Sequence, residues 1–135
     1  MRLVVDTNVL FSFFKRESVT RWLLTNFEFI EPVTPSFCIE ELTEHKVLIC
    51  AKSKLSATEF EEALGDLLIF VKVISLPEYS TYLSGAKSIS PDPDDIELFA
   101  VALKLGCPIW SNEKAFTHQS EVRIYTTAEL LALVS

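Results

Sequence analysis

Three cysteines in 135 residues, at positions 38, 50 and 107, are odd in number and widely scattered, which excludes a disulfide framework. No CxxC spacing marks a zinc knuckle either. Only three glycines occur, so a linker-rich or low-complexity chain is excluded as well. No uncharged run approaches the roughly 20 residues that span a bilayer, and Asp6 and Asn8 interrupt the N-terminal apolar run where a signal-peptide core would lie. Cations are in deficit: 12 Lys and Arg stand against 19 Asp and Glu, a net charge of −7, which argues against broad electrostatic binding of duplex nucleic acid. The cations present are clustered, as Lys15, Arg16 and Arg21 and as Lys46, Lys52 and Lys54. With 49% apolar residues, the expectation is a soluble, unexported protein of the reducing cytoplasm, one domain over residues 1–135 with a core of its own.

What is there alternates. RLVVD reads as a short buried strand, followed by a helix through LFSFF and another over VTRWLLTNF, opened by Ser18 or Thr20. A second strand is expected near FIEPV, and TPSF, with its proline and hydroxyl, opens a long helix through FCIEELTEHKVLICAK. Ser56 and Glu59 have capping-box spacing at the head of a helix with apolar residues at 60, 63, 64, 67 and 68. KVISL is a third strand, and YSTYLSGAKSI a modest helix closed by Gly85. In SPDPDDIELFAVALKLG, Asp92 is the expected N-cap, Pro93 the first helical residue and Gly106 the stop. CPIW and VRIYT supply strands four and five, and TAELLALV a last helix that Thr127 would cap. The pattern specifies an α/β domain, a sheet of four to five parallel strands with helices on both faces.

In such a sheet ligands bind outside the carboxyl ends of the strands. Asp6 lies at one such end, and Ser111, Asn112 and Glu113 at another. Glu41 sits inside a helix at i, i+4 from His45, and Asp94 and Asp95 fall in the first turn of theirs. Each acid has an ordinary account. Asp92, Asp94 and Asp95 suit a helix N-terminus, worth about 0.3–1 kcal/mol each. Glu40, Glu41 and Glu44 suit a solvated helix face, and Glu113 a helix start, while His45 and His118 receive no role. Asp6 fits least: a carboxylate inside an apolar run costs several kcal/mol if unpaired, and DTN directly after a buried strand is more than a cap requires. Four chain regions thus deliver carboxylates, a hard-oxygen set suited to Mg²⁺ or Mn²⁺ and to phosphodiester hydrolysis.

VVDTNVL, IEEL, DPDDIELFAVALKLG and PIWSNEKAF, in that order, resemble the four motifs of PIN-domain proteins, the fold of VapC-type toxin ribonucleases. The resemblance implies that Asp6, Glu41 and Asp95 are metal-binding carboxylates, with Asp94 as the alternative or additional third-motif ligand. It implies that Asn8 orients the first acid and that Ser111 and Asn112 form a small polar turn holding a water or the scissile phosphate. Glu113 stands where the family usually has Asp. A metal-dependent ribonuclease with Asp6, Glu41, Asp95 and Glu113 as its catalytic acids follows, with Mg²⁺ or Mn²⁺ as cofactor. Its expected substrate is single-stranded RNA, and its expected partners are an antitoxin protein and a second copy in a homodimer. Two other readings compete. A haloacid-dehalogenase-type phosphatase needs a second acid where this chain has Asn8, and a non-catalytic module binding RNA or protein would keep the fold and lose the chemistry.

Overall fold

In the computed structural model, which describes residues 1–26, 28 and 30–134, the first strand is the central one. β1 (Arg2–Val5) is followed by α1 (Thr7–Phe13), α2 (Val19–Asn26), β2 (Glu31–Pro35), α3 (Ser36–Glu44), α4 (Lys46–Ser53), α5 (Ala57–Phe70) and β3 (Lys72–Ile74). Then come α6 (Leu76–Tyr79), α7 (Leu83–Ile89), α8 (Ile96–Leu105), β4 (Ile109–Trp110), β5 (Ile124–Tyr125) and α9 (Thr127–Val134). The strands form one sheet of order β3-β2-β1-β4-β5, and every pairing is parallel. Strand addition reverses after β3. Helices α6 and α7 pack on α8, which lies against β1 and β2, while α1 packs on α3, α3 on α4 and α4 on α5, the two groups that right-handed crossovers are expected to put on opposite faces. Leu3, Val4 and Val5 are wholly buried in β1, as expected of a strand covered on both faces. The aromatic core includes Phe14 stacked on Phe60 at 5.0 Å and Phe99 edge-on to Phe116 at 5.2 Å.

Local chemistry accounts for most element ends. Ser56 Oγ accepts the Glu59 N–H at 3.1 Å and Glu59 Oε1 the Ser56 N–H at 2.9 Å, closing the capping box that opens α5. Gly106, at φ +61°, stops α8 in the left-handed region that glycine enters freely.

Five local expectations are corrected. The single long helix from residue 37 to 52 is two, because His45 leaves helical geometry at φ −97°, ψ 18° and its ring Nδ1 bonds the Glu41 carbonyl oxygen at 2.8 Å. The α3 helix is not opened by a hydroxyl: Pro35 holds the N-cap position, and Thr34 Oγ1 instead donates to the Val5 carbonyl at 3.0 Å, tying β2 to β1. Gly85 does not close a helix; it lies inside α7, and a Cβ there would rest 3.7 Å from Leu103 of α8. Helix α7 runs on to Ile89 and stops one residue before the position that Pro91 restricts. Asp92 caps the short 3₁₀ turn Pro93–Asp95, accepting the Asp94 N–H at 2.9 Å, so α8 begins only at Ile96. Finally, Thr126 rather than Thr127 caps α9: Thr126 Oγ1 accepts the Glu129 N–H at 3.1 Å while Glu129 Oε1 accepts the Thr126 N–H at 3.0 Å. The ends assigned at Phe27 and Phe29 to the second helix and second strand lie outside the described residues.

Thr126→Ala should therefore destabilise the protein by about 1 kcal/mol and Thr127→Ala should not act through capping. Urea unfolding of Thr126→Ala beside Thr126→Ser, which keeps the capping oxygen, reads the loss.

Candidate active site

The order of the sheet reverses at β1, so the crevice between the carboxyl ends of β1 and β4 is its switch point. The Asp6 N–H still pairs with the Trp110 carbonyl at 3.1 Å, and α1 then starts from the Asp6 carbonyl. The Asp6 side chain makes no capping bond to α1. It is 5% exposed and its Oδ2 accepts the hydroxyl of Ser111 at 2.8 Å, a residue that is itself fully buried at the end of β4. Ser111 Oγ in turn accepts the Glu113 N–H at 3.0 Å, which fixes the turn after β4 against the acid.

Around this pair the other acids converge from three directions. Glu41, projecting from α3, accepts the Thr7 hydroxyl at 2.7 Å. Glu113 accepts the Asn8 side-chain amide at 3.0 Å. Asp95 ends the 3₁₀ turn before α8.

The three half-buried or buried carboxyls titrate upward. Burial raises Asp6 most; the Ser111 hydroxyl and the nearby N–H groups of Asn8 and Thr7 favour its ionised form, while the charge of Glu113 opposes it. Burial also raises Glu41, with Thr7 pulling it down, Asp6 pushing it up, His45 pulling it down and Asp94 pushing it up. Asp95 is pushed up to about 7, by burial first and then by the charges of Asp6, Asp92, Glu113 and Asp94. The charge of Asp6 thus acts on both Glu41 and Asp95, and that of Glu113 on both Asp6 and Asp95.

The expected residues are not all where the family pattern implies. Asp6, Glu41, Asp95 and Glu113 share one crevice, and Asp94 lies at its margin, exposed, acting on Glu41 and Asp95 through its charge. Yet among the described residues no three His, Cys, Asp or Glu side chains stand close enough to form a ready metal cage. Asn8 bonds Glu113 instead of the Asp6 side chain. Asn112 uses both ends of its amide on Thr127, donating to Oγ1 at 3.0 Å and accepting the backbone N–H at 2.9 Å. Trp110 Nε1 donates to the same hydroxyl at 2.9 Å, so Thr127 clamps the β4 turn to the start of α9. Sequence alone assigns Thr7 no role and Thr127 only a helix cap, so both of their bonds at the site were missed. The first was legible in the DTN triplet, as a hydroxyl between two site residues, whereas nothing local marks the second.

A parallel α/β domain whose acids meet at the switch point is the architecture of a PIN domain. The chain belongs to the PIN-domain family, whose model matches residues 4–132. Its fold is similar to that of a chain in the crystal structure of VapBC2 from Rickettsia felis, bound to a DNA fragment from their promoter. The TM-score is 0.72 and the identity 14%, over 93% of this chain and 98% of that one. No curated protein matches this chain significantly.

Proposed function

We propose that this chain is a metal-dependent endoribonuclease that hydrolyses phosphodiester bonds in single-stranded RNA, a single nuclease domain over residues 1–135. The observation that carries the reading is the carboxylate of Asp6, buried at the switch point and held by Ser111, with Glu41, Asp95 and Glu113 on the same crevice. Membership of the PIN-domain family supports it. The donor chemistry fits Mg²⁺ or Mn²⁺: all candidate ligands are hard carboxylate oxygens, and their mutual repulsion is what a divalent cation relieves. Asp6, Glu41 and Asp95 would hold the ion, with Asp94 or Glu113 completing the set after side-chain movement. Such an ion supplies Lewis acidity toward a phosphoryl oxygen and makes water acidic enough to attack at neutral pH.

The chain's own polar groups do the rest. Ser111 fixes the rotamer of Asp6, Thr7 that of Glu41, and Asn8 restrains Glu113, whose extra methylene relative to Asp lets it reach across to α1. Asn112 shapes the turn and leaves substrate contact to its neighbours. The fold similarity to a chain of VapBC2 supports extending the reading to a cytoplasmic toxin with an antitoxin partner, and the family resemblance extends it to a homodimer. Among the described residues no helix is long and apolar enough to cross a membrane.

Purified protein with Mn²⁺ should cut single-stranded RNA, and Asp95→Asn and Glu41→Gln should cut it on the order of 100-fold more slowly. Equal cleavage by the variants overturns the assignment. The open spacing of the acids and the Asn8–Glu113 bond favour one second reading, a non-catalytic PIN module. RNA binding without cleavage, and without Mn²⁺ binding by calorimetry, would establish it.

A further inference from the structure

The two basic clusters of the sequence are divided by the fold. Arg16 pairs with Glu59 at 3.0 Å and Lys46 with Glu61 at 2.8 Å. Arg21 donates to the Phe13 carbonyl at 2.8 Å and lies 4.5 Å over the Phe13 ring. Lys15 and Lys52 enter no ion pair among the described residues, and both line one groove between α1 and α4. Its volume is about 160 Å³ and its apolar lining comes from Phe11, Leu48 and Ile49.

The groove begins one helical turn from the acid crevice. Thr7, Phe11 and Lys15 follow one another at i, i+4 spacing along and just past α1, from the hydroxyl that holds Glu41 to the groove wall. On the facing side Glu41 is followed by His45, whose ring centroid lies 5.8 Å from that of Phe11, and then by Lys52. An aromatic ring flanked by unpaired cations is the equipment of a single-strand binding track, where bases stack and lysines meet phosphates. In a chain of net charge −7, two unpaired cations beside an acid centre mark where a polyanion can approach.

We infer that the α1/α4 groove is the track that seats single-stranded RNA beside the acid centre, its phosphates on Lys15 and Lys52 and one base on Phe11. The inference rests on the ribonuclease reading and names where its substrate lies.

The test reads binding, not cleavage, using the Asp6→Asn protein in EDTA and a fluorescent single-stranded oligoribonucleotide. Adding K15Q and K52Q should weaken binding about tenfold or more and lower the slope of log Kd against log salt by about 1.4, the contribution of two phosphates. K87Q with K104Q, the same charge change elsewhere, should alter neither. Phe11→Leu, which keeps apolar bulk and removes the aromatic face, should weaken binding about fivefold. Absent RNA binding, unchanged affinity in the K15Q/K52Q protein, or an equal loss in K87Q/K104Q overturns the inference. A groove that binds RNA as expected in a protein whose wild type does not cut upholds the track and refutes the nuclease.

Discussion

Asp6→Asn should all but abolish RNA cleavage, by on the order of 100-fold or more, while leaving the metal-free protein at least as stable as the wild type. The pairing of outcomes follows from the site. Asn keeps an oxygen to accept the Ser111 hydroxyl and removes a charge that is buried and opposed by Glu113. Linkage gives the sign. Folding raises the Asp6 carboxyl above its usual 3.8 and Asp95 from 3.8 to about 7, so over that window the folded state binds protons more tightly than the unfolded one. Metal-free wild type therefore loses stability as pH rises from about 4 to 7, and regains it as pH falls. Asp6→Asn should flatten that slope, since it removes one raised group and lowers the charge that raises another. Mn²⁺ should raise the melting temperature of the wild type, more at pH 8 than at pH 5, and should not raise that of the variant. Melting curves in EDTA and in Mn²⁺, with cleavage assays beside them, read all of this; a variant that cuts normally would remove Asp6 from the chemistry.

Trp110→Ala should cost about 3–5 kcal/mol, a loss on the order of 10–20 °C in melting temperature at this chain length. The indole is fully buried in a strand of only two residues, and its N–H donates to Thr127 Oγ1 at 2.9 Å. Removing it opens a cavity next to β1 and frees the turn that carries Ser111 and Glu113. Trp110→Phe keeps most of the volume and loses the hydrogen bond, so it should cost roughly 1–3 kcal/mol. If the two variants melt together, the bond to Thr127 matters more than the packing.

The parts of this structure legible in the sequence are those written by neighbours. The burial of β1, the Ser56–Glu59 box and the stop at Gly106 each depend on residues within a few positions. The delivery of Asp6 and Ser111 to one crevice was legible too, because parallel strands put successive carboxyl ends at the same edge. What was not legible lies between residues far apart in the chain. Thr7 and Glu41 are 34 positions apart, and Asn8 and Glu113 105, so no periodicity announces either bond. The break at His45 escaped detection for another reason: its residue types favour a continuous helix, and a side-chain bond to the Glu41 carbonyl overrides them. At α9 the information was local but ambiguous, since two adjacent threonines compete and only the Thr126 to Glu129 spacing completes a box.

The sheet ends in strands of three residues at one edge and two at the other. The outer strands carry charge, Lys72 on β3 and Arg123 beside β5, the latter lying 4.7 Å over the Tyr125 ring. Such stubs offer an incoming strand too few free backbone groups to continue the ladder. Growth of the sheet by an added strand is thus disfavoured at both edges, and the helix surfaces are what the domain offers a neighbour.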